Sequence, residues 1–139
     1  MNKIAFDLDG VLIPDYNVIP NLTDEEFFNQ TLYTKPLINP LLPFDIVTAR
    51  LEIHRDVTIK WLQQLQRMPI NLYMRPSLDE TPAEFKFRMC VEQDYEIYVE
   101  SDPVISSEMV DLCVKHNHKL VVIHYDTWVM HSLANFKIS

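Results

Sequence analysis

An α/β fold of the doubly wound kind, with about five parallel strands and helices on both faces, is predicted by three features of the sequence. Short apolar runs recur at residues 3–7, 44–48, 70–74, 96–100 and 119–123. Between the later runs, apolar side chains return at helical spacing. Strand and helix patterns then alternate to the last strand, which favours βαβ units, right-handed crossovers and a parallel sheet.

The elements follow in order. Lys3-Ile4-Ala5-Phe6-Asp7 reads as a short buried strand. Residues 14–43 break the rhythm, with Pro14, Pro20, Pro36, Pro40 and Pro43 flanking one predicted helix that begins at Thr23, whose hydroxyl can cap Asp24-Glu25-Glu26. This stretch reads as a covering loop and helix inserted in one domain spanning residues 1–139, a length suited to one core. The second strand is Phe44-Asp45-Ile46-Val47-Thr48. Ile53, Val57, Trp61 and Leu65 then repeat every four residues and predict a helix running on through Arg50 and His54. Helices carrying Phe85 and Met89, then Ile105, Met109 and Cys113, separate the third, fourth and fifth strands. The residues from Asp126 onward are compatible with a short helix at the sheet edge.

Composition narrows the function classes. Net charge is −8, which repels the backbone of a nucleic acid and disfavours a polynucleotide partner. The charge is uneven: seven of the twelve basic residues lie between Arg50 and Arg88 against five acidic ones, leaving that stretch at +2 and the remainder at −10. A phosphorylated small molecule can therefore still meet a favourable local field. No apolar stretch approaches the roughly 20 residues that cross a bilayer, and the opening residues lack the pattern of a secretory leader. Cys90 and Cys113 have no CxxC pairing and are expected as buried free thiols, so the expected location is cytoplasmic.

In an open parallel sheet, ligands sit beyond the carboxyl ends of the strands. Those ends are polar here. The first strand ends in Asp7-Leu8-Asp9-Gly10-Val11, the second in Thr48-Ala49-Arg50 and the fourth in Glu100-Ser101-Asp102. Average usage predicts roughly ten glycines in such a length. The one this chain has is Gly10, directly after the acidic pair, where a tight turn can bring backbone close to a ligand.

Asp7-Leu8-Asp9-Gly10-Val11, Thr48, Lys86 and Glu100-Ser101-Asp102, in that order, resemble the motif set of the haloacid dehalogenase (HAD) superfamily. About thirty residues between Pro14 and Phe44 are too few for a full cap domain, so the resemblance is to a capless, phosphatase-like member. It implies Mg²⁺-dependent hydrolysis of a phosphomonoester through an aspartyl-phosphate on Asp7, with Asp9 acting as acid and then as base. By the same resemblance, Mg²⁺ would be held by the side chains of Asp7 and Glu100 and the backbone carbonyl of Asp9, with Asp102 reached through water. Asp7, Asp9 and Glu100 around a phosphate would otherwise repel one another, and a hard divalent ion relieves that.

Thr48 would donate to a phosphoryl oxygen, or equally cap the following helix. Lys86, near the start of a helix after Pro82, would reach the site, with Arg88 and Lys60 as substitutes and a solvated surface lysine as the plain alternative. Arg50 and Arg75 are candidates to hold a substrate's distal anion, or to pair at the surface. His54 reads as a surface residue. Glu100 departs from the aspartate of many members, its extra methylene moving the carboxylate outward by about 1.3 Å. Ser101 stands where a second acid often sits. The expected function is a phosphomonoester hydrolase acting on a nucleotide, a sugar phosphate or a polynucleotide end, and its open site is compatible with a homo-oligomer. The alternative is a weakened HAD-fold module that binds a phosphorylated ligand or a protein partner.

Overall fold

The structure is a computed structural model and describes residues 3–14, 26, 32 and 34–130. The helix expected at Thr23, and with it much of the insert at 14–43, lies outside the described residues. Five strands form one wholly parallel sheet: β1 (Ile4–Phe6), β2 (Asp45–Leu51), β3 (Leu72–Arg75), β4 (Ile97–Glu100) and β5 (Val121–His124). Their spatial order is β3-β2-β1-β4-β5. The order runs one way from β1 to β3 and the other way from β4 to β5. The crevice between the ends of β1 and β4 is therefore the topological switch point, where such sheets bind ligands.

The strands alternate as a sheet buried on both faces must. Ile4, Phe6, Ile46 and Val99 point to one side and Ala5, Val47 and Tyr98 to the other. The first layer is closed by α1 (Arg55–Leu62), through Trp61 and Leu62, and by Trp128 from the helical residues 125–130. The second is closed by α2 (Pro82–Glu92), through Phe85, Met89 and Cys90, and by α3 (Pro103–Lys115), through Met109. The predicted α/β doubly wound class is thus the observed one.

Local chemistry explains the helix limits. Thr81 and Glu84 form a capping box: the Thr81 hydroxyl accepts from the Glu84 amide at 3.1 Å, and Glu84 accepts from the Thr81 amide at 3.0 Å. With Pro82 at the first helical position, α2 has a fixed start. Since Gly10 is the chain's only glycine, the left-handed residues that end α2 and α3 are Asp94 (φ 54°) and Asn117 (φ 48°). Asn and Asp tolerate that region better than other side chains.

Two expectations differ. β2 does not stop at Thr48 but runs to Leu51, followed by a single 3₁₀ turn (Glu52–His54) before α1. Thr48 is therefore not a helix cap. The stripe Ile53, Val57, Trp61, Leu65 is buried only from Trp61 onward. Ile53 lies in the 3₁₀ turn and is 80% exposed. Cys90 and Cys113 are buried free thiols, as expected, and burial pushes both upward in pKa, away from the reactive thiolate.

At the opposite, N-terminal end of the sheet, buried Asp45 is satisfied by the Tyr95 hydroxyl at 2.6 Å and by the backbone and side-chain amides of Asn71, each at 3.1 Å. Burial, with the Asp45 hydrogen bond, pushes the Tyr95 phenol upward and keeps it a donor. Tyr95→Phe deletes that donor beside a buried carboxylate. Stability in urea should fall by about 1–3 kcal/mol, and an unchanged midpoint would show that the contact contributes nothing.

Candidate active site

The loop after β1 is built around its own backbone. The Asp7 amide donates to the Val99 carbonyl at 2.9 Å, continuing the pairing of β1 with β4 one residue further. The Leu8 carbonyl then receives the amides of Val11, Leu12 and Ile13, while the Gly10 amide donates to the Ile13 carbonyl at 2.7 Å. Leu8, Val11, Leu12 and Ile13 are all fully buried. Closing so tight a loop requires a left-handed residue, and Gly10, at φ 83°, supplies it. Asp7 and Asp9 are thereby held on either side of the buried Leu8.

Three charged side chains meet beneath the loop, all withdrawn from water. The Lys86 ammonium lies 2.7 Å from Glu100 Oε2 and 3.3 Å from Asp7 Oδ2. Lys86 is 2% exposed, Asp7 5% and Glu100 1%. Lys86 is thus an interior group, four residues beyond Pro82 and aimed at the switch point. Arg88 instead pairs with Glu80 and Glu92, and Lys60 is exposed, so neither takes its place.

One ammonium between two carboxylates leaves negative charge in excess. Burial, opposed by Lys86 and reinforced by Glu100 and Asp9, raises the Asp7 carboxyl well above its ordinary value. Burial alone would lower Lys86, but Asp7 and Glu100 outweigh it and raise it. Burial dominates the Asp7 shift, and the two neighbouring carboxylates dominate that of Lys86.

Asp9 is held from the other side. Arg50 grips it in two parallel hydrogen bonds, Nε to Oδ2 at 2.9 Å and Nη2 to Oδ1 at 2.7 Å. Arg50 is itself braced by Thr58, whose hydroxyl accepts from Nη1 at 3.1 Å and donates to the His54 carbonyl at 2.8 Å. Arg50 was expected either to hold a substrate's distal anion or to pair at the surface. It is instead buried and spent on Asp9.

Arg75 is likewise structural. Pairing of β2 with β3 shifts register between Thr48 and Leu51, a bulge, and Arg75 Nε donates to the Ala49 carbonyl there at 3.1 Å. Its Nη1 donates to the Glu80 carbonyl at 3.1 Å. A bulge and its brace leave no signature in periodicity, and neither does the partnership of Thr58 with Arg50.

A cleft of about 150 Å³ opens over Asp7, Asp9, Thr48, Lys86 and Glu100. Buried Thr48 accepts from the Arg50 amide at 3.2 Å, so its own proton can serve a ligand. Ser101 Oγ donates to the Asp9 carbonyl at 3.2 Å. Asp102 turns one oxygen onto the amides of Val104 and Ile105 and caps α3. Oxygen donors at the cleft include the Asp7 and Glu100 carboxylates and Asp9. They are hard donors suited to a small divalent cation, and the excess buried negative charge is of the sign such an ion neutralises. Among the described residues, however, no three Asp, Glu, His or Cys side chains converge as a metal cage.

No protein-family model matches the chain, and no curated protein matches it. Among solved structures, a chain of the Pnkp1/Rnl/Hen1 RNA repair complex has a similar fold, with a TM-score of 0.58 and 15% identity. The likeness covers 89% of this chain and 42% of that one, so this chain spans less than half the length of its neighbour. At that identity the likeness is one of fold.

The raised Asp7 pKa sets a pH dependence. Below the ordinary value of 3.8, Asp7 is protonated in the folded and unfolded chain alike. As pH rises toward the elevated folded value, the unfolded chain releases its proton first, so the metal-free protein loses stability across that window. Asp7→Asn removes the titration. Metal-free Asp7→Asn should melt above the wild type at neutral pH, with the difference closing toward pH 4. Equal melting temperatures at neutral pH would contradict this.

Proposed function

We propose that this chain is a single-domain, metal-dependent phosphomonoester hydrolase, a capless member of the HAD superfamily with Asp7 as nucleophile. The observation that carries the proposal is the convergence of buried Asp7, Lys86 and Glu100 at the switch point, with Asp9 gripped by Arg50 beside them. A structural ion pair has no need of a third carboxylate two residues along the same loop. A nucleophile and a proton carrier do.

The residues divide the reaction as follows. Lys86 and Thr48 orient and neutralise the phosphoryl oxygens over the 150 Å³ cleft. An Asp7 carboxylate oxygen attacks phosphorus in line, forming the acyl phosphate as the bond to the leaving oxygen breaks. Asp9, protonated and released from Arg50 at that stage, gives that oxygen its proton. Asp9 then accepts a proton from the water that attacks the acyl phosphate, releasing inorganic phosphate and restoring Asp7. Arg50 pairs with Asp9 in its ionised form, between the two proton transfers. Mg²⁺, held by Asp7, Glu100 and the Asp9 carbonyl, would supply the positive charge that lets Asp7 ionise and the phosphate approach it.

Substrate classes consistent with this chemistry are nucleotides, sugar phosphates and polynucleotide ends. The fold likeness to a chain of an RNA repair complex supports the last, and the net charge of −8 weighs against it. A second reading, a phospho-ligand or partner-binding module with weakened catalysis, is favoured by Glu100 being satisfied by Lys86 and Asp9 by Arg50.

The test is phosphate release from p-nitrophenyl phosphate and a panel of phosphorylated metabolites, with Mg²⁺ or EDTA. Asp7→Asn should lower turnover by about a thousandfold or more. Asp9→Asn should slow it by roughly 10²–10⁴, and EDTA should abolish it. Silence from folded, metal-loaded wild type, with phosphate ligands still bound, would instead establish the binding module.

A further inference from the structure

The narrow cleft does not end at Asp7. Ser101 and Asp102 also form one wall of a wider cavity of about 490 Å³, which continues past Gly10 to His124, Tyr125 and Asp126. The smaller space suits a phosphoryl group. The larger, open to solvent at the end of β5, suits what the phosphoryl group is attached to. On the phosphatase reading above, it is where the leaving group lies.

What that cavity lacks is a free anion binder. No lysine or arginine lines it among the described residues. The amides at the start of α3 would attract an anion, but the Asp102 carboxylate already accepts from Val104 at 2.8 Å and from Ile105 at 3.2 Å.

His124 is spent as well. Its Nδ1 accepts from the Asp126 amide at 3.2 Å, which makes Nε2 the protonated nitrogen that donates to the Ser101 carbonyl at 2.9 Å. Asp126, with its side chain 79% exposed at the rim, adds a carboxylate facing open water. The remaining wall includes Pro14, Leu37, Pro103 and Tyr125, largely apolar residues of the kind a sugar or base packs against.

We propose that this cavity selects an uncharged, hydroxyl-bearing leaving group, a sugar or a nucleoside, over one that carries a second phosphate. Asp102 and Asp126 act on a second phosphate as like charges, lowering affinity for bisphosphates and for phosphodiester-linked chains. Close like-charge pairs discriminate more by excluding the wrong ligand than by attracting the right one.

The test uses full-length Asp7→Asn, so that ligands are bound and not turned over, in Mg²⁺ buffer with calorimetric titration. Uridine 5′-monophosphate is compared with uridine 3′,5′-bisphosphate, and glucose 6-phosphate with glucose 1,6-bisphosphate. Each monophosphate should bind about tenfold or more tightly than its bisphosphate partner, with a ratio that shrinks as salt is raised. Adding Asp126→Lys should reduce the ratio at least threefold while leaving monophosphate affinity within twofold, and Asp126→Asn should act in the same direction by less. Equal or tighter bisphosphate binding, a ratio untouched by either Asp126 variant, or no binding of any phosphate would overturn the proposal. Wild-type turnover is measured alongside. Discrimination without turnover would fail the phosphatase reading alone, and turnover without discrimination would fail this one alone.

Discussion

Lys86, Asp7 and Glu100 come from three separate elements and meet out of water, the ammonium 2.7 Å from one carboxylate and 3.3 Å from the other. Burying three charges is costly unless each finds a partner, and most of the surrounding architecture serves that requirement. Phe6 pairs with Val99 across β1 and β4, so the next residues, Asp7 and Glu100, emerge side by side. The capping box at Thr81 sets where α2 begins and hence where Lys86 points. Glu100 is long enough to reach the ammonium with one oxygen while the other accepts from the Asp102 amide at 3.3 Å. The methylene that sets it apart from aspartate is used in that contact. One ammonium faces two buried carboxylates, and burial, with Glu100 and Asp9 adding to it, holds the Asp7 carboxyl above its ordinary value despite Lys86. Such a site is poised for a cation or for a proton.

A second constraint holds Asp9. The bulge in β2 between Thr48 and Leu51 takes Ala49 and Arg50 out of regular pairing, with Arg75 bonded to the Ala49 carbonyl. Arg50 then reaches Asp9 with both prongs and rests on Thr58 of α1. The arginines look alike in sequence, both following a strand, yet one orients an acidic side chain of the cleft and the other supports a backbone irregularity behind it.

The space around these two clamps is asymmetric. On the side of β2 the site is closed by buried Thr48 and Arg50. On the side of β5 it opens past Ser101 and Asp102 into the wider cavity. The start of α3, which in many α/β folds offers free amides to a phosphate, is filled by the protein's own Asp102. The buried ammonium of Lys86 lies beneath the loop that contains Gly10.

Much of this was legible in the sequence. Five apolar runs at the right spacing imply a parallel sheet because apolar periodicity is local and strands buried on both faces have no polar alternation to disguise them. The carboxyl-terminal cluster of Asp7, Asp9, Thr48 and Glu100 was likewise readable, since strand ends face one crevice whatever the packing. The extension of β2 to Leu51, the exposure of Ile53 and the destinations of Arg50 and Arg75 were not. A bulge changes register without changing composition, and a long cationic side chain reaches equally well toward solvent, substrate or a neighbouring carboxylate. The sequence by itself determined which groups lie at the mouth of the sheet, because strand direction decides that. Only the tertiary structure decided which charge pairs with which, because in a buried site each ion takes the partner that geometry brings within about 3 Å.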